Sequence, residues 1–223
     1  MIKLFFPPSV IPFTYPWIVK RNITSSSSIL DIGSGDGKFM THILKNDRTI
    51  KLYGVDLFDP YIKQAKRSKV YKKIFKQDVR KIKFPERGFD IVLASQIVEH
   101  LKKNDSYSLI KSMERIAKDK VIIGTPNGYF PRGTFENNEL QRHHSAWTAE
   151  DFRKLGYKVY GQSTKFIYGK RGLINSKPAK NLLVRSILFI ISYILSPITY
   201  FLPQYSAHLI AVKKIKINIF SKF

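Results

Sequence analysis

The stretch from Ile29 to Phe39, I-L-D-I-G-S-G-D-G-K-F, constrains this chain more than any other. Ser28 to Ile32 is short, mostly β-branched and apolar, the composition of a strand buried on both faces. Gly33, Ser34, Gly35, Asp36 and Gly37 then force a tight turn, and Lys38 to Lys45 has the pattern of an amphipathic helix. Strand, glycine turn and helix in that order present bare backbone N–H groups at the carboxyl edge of a parallel sheet. The stretch predicts a nucleotide-type site.

Residue chemistry separates three ligand classes. A dinucleotide turn needs G-x-G-x-x-G, but the glycines here fall as G-x-G-x-G and Asp36 places a negative charge where a pyrophosphate would lie. A phosphate-binding G-x-x-x-x-G-K-[ST] loop fails at Ile32 and Phe39. S-adenosylmethionine carries no phosphate, and an acidic loop suits its ammonium and sulfonium charges. The run D-x-G-x-G-x-G from Asp31 resembles motif I of the class I S-adenosylmethionine-dependent methyltransferases.

Downstream spacing fits the same family over residues 25–165. Lys51 to Val55 reads as a second strand ending at Asp56, with Asp59-Pro60 opening a helix. An acid at that strand tip can accept from both hydroxyls of a ribose. Ile74 to Lys76 reads as a short third strand, Phe89 to Ser95 as the fourth and Val121 to Gly124 as the fifth. Strands alternating with helices at this rhythm imply a doubly wound parallel sheet. The resemblance implies a cofactor site built from Asp31, Gly33, Gly35, Gly37, Asp56, Leu57, Asp78, Val79 and Ser95. In it Asp31 orients the amino acid end, Asp56 holds the ribose, and Asp78 with the Val79 backbone reads the adenine.

The chain has 223 residues, enough for one domain with a full core, and no internal repeat. It has no cysteine, which excludes disulfides, thiolate metal sites and a thiol nucleophile. The net charge of +23 implies an anionic partner, or else a solvated lysine-rich surface. Residues 1–24 form an aromatic arm broken by Pro7, Pro8, Pro12 and Pro16; it lacks the uninterrupted core of a signal peptide and is expected to play a structural part. The basic run from Lys63 to Lys83 reads either as a solvated helix face or as a seat for phosphates or lipid headgroups.

After the fourth strand, Ser95-Gln96-Ile97-Val98-Glu99-His100-Leu101 resembles the acceptor loop of small-molecule and quinone-type methyltransferases. Glu99 and His100 either brace the loop or supply His100 as a general base, with Glu99 orienting it. Later come G-T-P-N-G from Gly124 and H-x-S-x-W-T from His143, where Thr148 can cap a helix over Ala149 to Leu155 with Asp151 as its partner. This segment also resembles the small-RNA 2′-O-methyltransferases, which hold a divalent metal. Carried over, the metal positions fall on Gln96, Glu99, His100 and His143. The neutral amide of Gln96 weakens a hard-cation site, so no resident metal is expected. His143 then serves as base or acceptor anchor, and His144 is peripheral.

Tyr157 to Ser163 and Ser206 to Lys213 read as the sixth and seventh strands, and the long stretch between them needs explaining. Within it Leu182 to Leu202 is nearly all apolar, interrupted by Arg185 and Pro197. A membrane span needs about 20 apolar residues. The seventh strand must return to the same sheet, however, so a helix–Pro–helix hairpin lying in one leaflet fits better than a crossing. The alternative is an extra helical layer or a dimer seam.

The expected fold is therefore α/β: a Rossmann-like, doubly wound seven-stranded sheet with the seventh strand antiparallel and an apolar helical insertion before it. The parts are an arm (1–24), a methyltransferase domain (25–165 and 204–216) and the insertion (166–203). The expected activity is methyl transfer from S-adenosylmethionine to an oxygen of a small-molecule, lipid, quinone or lipid-linked glycan acceptor. It is expected on the cytoplasmic face of an anionic membrane, in peripheral or monotopic attachment. RNA 2′-O-methylation is the alternative, and a non-catalytic cofactor-binding scaffold at the membrane is the alternative of another class.

Overall fold

An apolar strand that must satisfy its backbone away from water sits inside a sheet, and β1 (Ser28–Ile32) is flanked by β2 (Lys51–Asp56) and β4 (Phe89–Ser95), both parallel to it. The computed structural model describes residues 8–25, 27–44, 47, 49–131, 133–134 and 138–216. The expected helix end at Lys45 and residues 1–7 of the arm, Pro7 included, lie outside the described residues.

The remaining strands are β3 (Tyr71–Lys76), β5 (Ala117–Pro126), β6 (Lys158–Thr164) and β7 (Ser206–Lys214). The helices are α1 (Tyr15–Lys20), α2 (Lys38–Leu44), α3 (Asp59–Arg67), α4 (Lys103–Ile116), α5 (Ala149–Lys154), α6 (Lys165–Tyr168), α7 (Leu182–Ile194) and α8 (Ser196–Phe201). The sheet order is β3-β2-β1-β4-β5-β7-β6, with β7 antiparallel. This is the expected Rossmann-like sheet.

Two strands are longer than their apolar runs. β3 begins at Tyr71, three residues before the apolar Ile74, because an edge strand accepts lysines that a central one would reject. β5 begins at Ala117, ahead of its apolar stretch. Of the basic run, Lys76 pairs with Asp59 at 2.6 Å and Arg80 with Asp78.

The chain divides into two bodies. One comprises Ile23–Ser95, Asn104–Ile122 and Val212–Phe223. Its core is Ile29, Leu30, Ile32, Leu52, Val55, Ile91, Val92 and Leu93, with Met113 and Ile116 of α4, all buried. Tyr53, Phe89, Phe84 and Phe75 continue it as a chain of edge-on ring contacts.

The other body comprises Met1–Asn22, Gln96–Lys103 and Ile123–Ala211. Trp147 and Phe152 stack at its centre with centroids 4.9 Å apart. Thr148 and Asp151 form the expected capping box at the start of α5. The arm contributes α1, whose Ile18 and Val19 are buried. Tyr200 of α8 takes Phe13 and Trp17 edge-on and stacks on Tyr160 of β6. Close approach of α8 to β6 requires Gly161, where a Cβ would lie 2.1 Å from the Thr199 carbonyl. Asn181 caps α7, and Pro197 in the first turn of α8 separates the two helices. Among the described residues, no helix is long and apolar enough to cross a membrane.

Candidate functional site

The glycine turn is set by backbone geometry. Gly33, Gly35 and Gly37 all have positive φ (71°, 54° and 78°), a region that penalises side chains. The Gly33 and Ser34 N–H groups donate to the Val55 carbonyl, tying the turn to β2. A Cβ on Gly37 would meet Tyr71 at 2.9 Å, whereas one on Gly35 would meet nothing within 4 Å. The turn is crowded behind and open in front, as a ligand lying over Gly35 requires.

Asp31 and Asp56 stand beside it, and Asp78 follows β3. Asp31, at 4% exposure, accepts from the Tyr71 hydroxyl at 2.7 Å. Burial pushes its carboxyl up to about 7, helped by the charge of Asp56 and opposed by the Tyr71 hydrogen bond. The Tyr71 hydroxyl is itself pushed up, by burial first and then by Asp31. Asp56 accepts the Gly35 N–H at 2.8 Å on one oxygen and the Leu57 and Phe58 N–H groups on the other. Asp78 caps the turn at Val79–Lys81 and pairs with the Arg80 guanidinium, which holds its carboxyl below the usual range. Leu57 is exposed at its edge, and Val79 and Ser95 are half-buried. The residues present suit S-adenosylmethionine: carboxylates for its ammonium and ribose, an open glycine turn, and no arrangement made for a pyrophosphate.

The other body carries the residues expected to do acid–base work. Glu99 and His143 are buried, His100 is half-buried, and one ligating atom from each lies within 4.8 Å of the others. The imidazole rings meet edge-on with centroids 4.7 Å apart. His143 Nδ1 donates to the Phe130 carbonyl and His100 Nδ1 to the Arg142 carbonyl. A carbonyl only accepts, so each neutral ring keeps its proton on Nδ1 and its lone pair on Nε2. A lone pair so placed can take a proton or ligate a metal, and carbonyls behind the rings are the usual support for metal-binding histidines. Two imidazoles and a carboxylate suit a first-row divalent ion. Gln96, with φ of 59°, donates its N–H to the Gly124 carbonyl. The Glu99 carbonyl accepts from His144 and Ser145, and the His144 side chain is exposed.

Several contributors escape sequence reading. Lys103 donates to the Ala146 carbonyl, stands 3.6 Å from the Trp147 ring centroid and lies 3.3 Å from Asp151, so it clamps the H-x-S-x-W-T segment. Ser145 bridges the Trp147 indole N–H and the Val98 carbonyl. Both are contacts between segments far apart in the chain. Tyr71 sits in a lysine-rich run that hides it, and only an aromatic hydroxyl at a strand start could have signalled it.

Residues 30–123 match the family model of a methyltransferase domain. Over those residues the chain is a methyltransferase domain. Its fold is similar to a SAM-dependent methyltransferase from Archaeoglobus fulgidus (20% identity, 89% of this chain and 94% of that one, TM-score 0.56). It is also similar to the small RNA methyltransferase HEN1 (16%, 91% of this chain but 25% of that one, 0.58). A third is phosphoethanolamine N-methyltransferase 2 from Haemonchus contortus, in complex with S-adenosyl-L-methionine (18%, 90% and 51%, 0.56). No curated protein matches in sequence.

Proposed function

We propose that this methyltransferase acts on a hydroxyl oxygen of a lipid-type acceptor, a quinone, isoprenoid or lipid-linked glycan among them, reached from the cytoplasmic face of an anionic membrane. The pairing of His100 and His143, each with Nδ1 on a backbone carbonyl, carries the acid–base part of this reading. S-adenosylmethionine supplies an electrophilic methyl group on a sulfonium. Gly33, Gly35 and Gly37 give it room, Asp31 faces its ammonium, and Asp56 with Leu57 holds the ribose. Asp78 and Val79 flank the adenine, and Ser95 completes the cofactor site. His143 Nε2 takes the acceptor's proton, with His100 and Glu99 orienting the ring. Most of the rate comes from holding the acceptor oxygen in line.

The membrane part rests on residues 166–203, where Leu182, Leu183, Ile194 and Phe201 are each more than 60% exposed. Such a continuous apolar face is uncommon on a surface facing water alone. Incubating the protein with labelled cofactor and a lipid extract, with and without EDTA, tests the proposal. Methylated lipid that survives EDTA supports it, and labelled RNA with unlabelled lipid overturns it.

RNA 2′-O-methylation is the second reading, favoured by the Glu99–His100–His143 cluster, which can hold a divalent ion, and by the charge of +23. It predicts activity abolished by EDTA and RNA affinity falling steeply with salt. A scaffold that binds cofactor at the membrane without turnover would give no product from either extract.

A further inference from the structure

A cavity of about 380 Å³ opens between the G-T-P-N-G turn and α6. Tyr129, Phe130 and Phe166 supply aromatic walls, Lys165, Lys170 and Arg171 supply charge, and among the described residues no carboxylate lines it. The Lys165 ammonium lies against the turn, 3.7 Å from where a Gly128 Cβ would sit, and Lys170 stands 5.7 Å from the Tyr129 ring centroid. No aspartate or glutamate follows Asp151 in the sequence.

The cavity joins two features. Phe130, one of its walls, holds His143 Nδ1 through its carbonyl. Ile167 of α6 is buried against Ala179 and Leu188, so the basic wall is built on α7. The outward side of α7 and α8 exposes Leu182, Leu183, Phe189, Ile190, Ile194 and Phe201. Lys177, Lys180 and Arg185 are exposed around it. Converging cations beside an aromatic rim, continuous with an exposed aliphatic face, match an amphiphile with an anionic head.

Resting on the lipid-acceptor reading, we propose that this cavity seats the phosphate of the acceptor, a phosphate-bearing lipid whose hydrocarbon chains lie along α7 and α8. Lys165, Lys170 and Arg171 hold the phosphate, Tyr129 and Phe166 cover the first carbons of the chain, and Phe130 sets the headgroup beside His143.

Flotation with vesicles tests this, using phosphatidylcholine alone, phosphatidylcholine with phosphatidylglycerol, and the latter with excess inorganic phosphate. The wild type is expected to float with the phosphatidylglycerol vesicles and to persist under inorganic phosphate, since free phosphate lacks the chain. The triple variant K165A/K170A/R171A is expected to lose affinity about tenfold or more, with unchanged calorimetric affinity for S-adenosylhomocysteine as the check on folding. L182E/I194E is expected to lose binding to the phosphatidylglycerol vesicles. A triple variant that floats like the wild type overturns the cavity assignment alone. A wild type that floats with no vesicle overturns the lipid-acceptor reading beneath it. Full displacement by inorganic phosphate, or cavity-dependent capture of RNA with no flotation, overturns the lipid source.

Discussion

The carboxylate of Asp56 accepts the backbone N–H of Gly35 at 2.8 Å, while its other oxygen accepts the N–H groups of Leu57 and Phe58. One buried side chain therefore closes the glycine turn and shapes the end of β2. Asp56→Ala leaves these N–H groups without their acceptor, and an orphaned buried donor costs about 1–3 kcal/mol. The expected outcome is a lower melting temperature and a loss of affinity for S-adenosylhomocysteine of about tenfold or more, since the ribose acceptor goes as well. Thermal unfolding and calorimetry read the two effects separately.

Asp31 links cofactor affinity to pH. Its folded carboxyl titrates at about 7, above the ordinary 3.8, so between these values the native state holds a proton that the unfolded chain has released. The stability tied to that proton is complete below pH 3.8 and is lost as pH rises through 7. The ammonium of the cofactor favours ionised Asp31, so affinity should climb with pH by up to about tenfold per unit below 7 and level off above it. Asp31→Asn should flatten both profiles, measured by calorimetry and chemical unfolding from pH 5 to 8.

His143→Ala should lower kcat by about a hundredfold or more, the usual contribution of a positioned base, and leave cofactor affinity intact. His100→Ala should act in the same direction more weakly, through the orientation of the neighbouring ring. Replacing His143 by glutamine should not rescue turnover, because an amide cannot take up the proton. Single-turnover methylation with labelled cofactor distinguishes these outcomes.

Gly37→Ala should destabilise the turn. The new methyl group meets Tyr71 at 2.9 Å at a φ of 78°, and left-handed backbone costs a residue with a Cβ about 1–2 kcal/mol. Gly35→Ala has open space and pays only the backbone strain, but its methyl group occupies the face turned to the cofactor. Gly37→Ala should therefore lose mainly stability and Gly35→Ala mainly affinity.

What was legible in the sequence was local. The glycine turn, the capping box of Thr148 and Asp151, and the helix–Pro–helix form of α7 and α8 each depend on residues a few positions apart, where spacing is geometry. The proximity of Glu99, His100 and His143 followed from the family resemblance. Their tautomers did not, because the carbonyls of Phe130 and Arg142 that set them have no side-chain signature. Asp31 and Tyr71 meet across non-adjacent strands, and β3 conceals the tyrosine behind Lys72 and Lys73. The basic cavity was hidden for the same reason: the aromatics of the turn near Gly128 and the cations of residues 165–171 are distant in the chain.

The place of α1 bears on how the chain folds as it is made. Arg21 bonds Tyr200 across 179 positions, and Tyr15 sets its ring against His208. In a nascent polypeptide α1 thus lacks these two partners until residue 208 has left the ribosome. Loop closure over such separations is slow, and through that interval the exposed Ile18 and Val19 would be a natural handle for a chaperone.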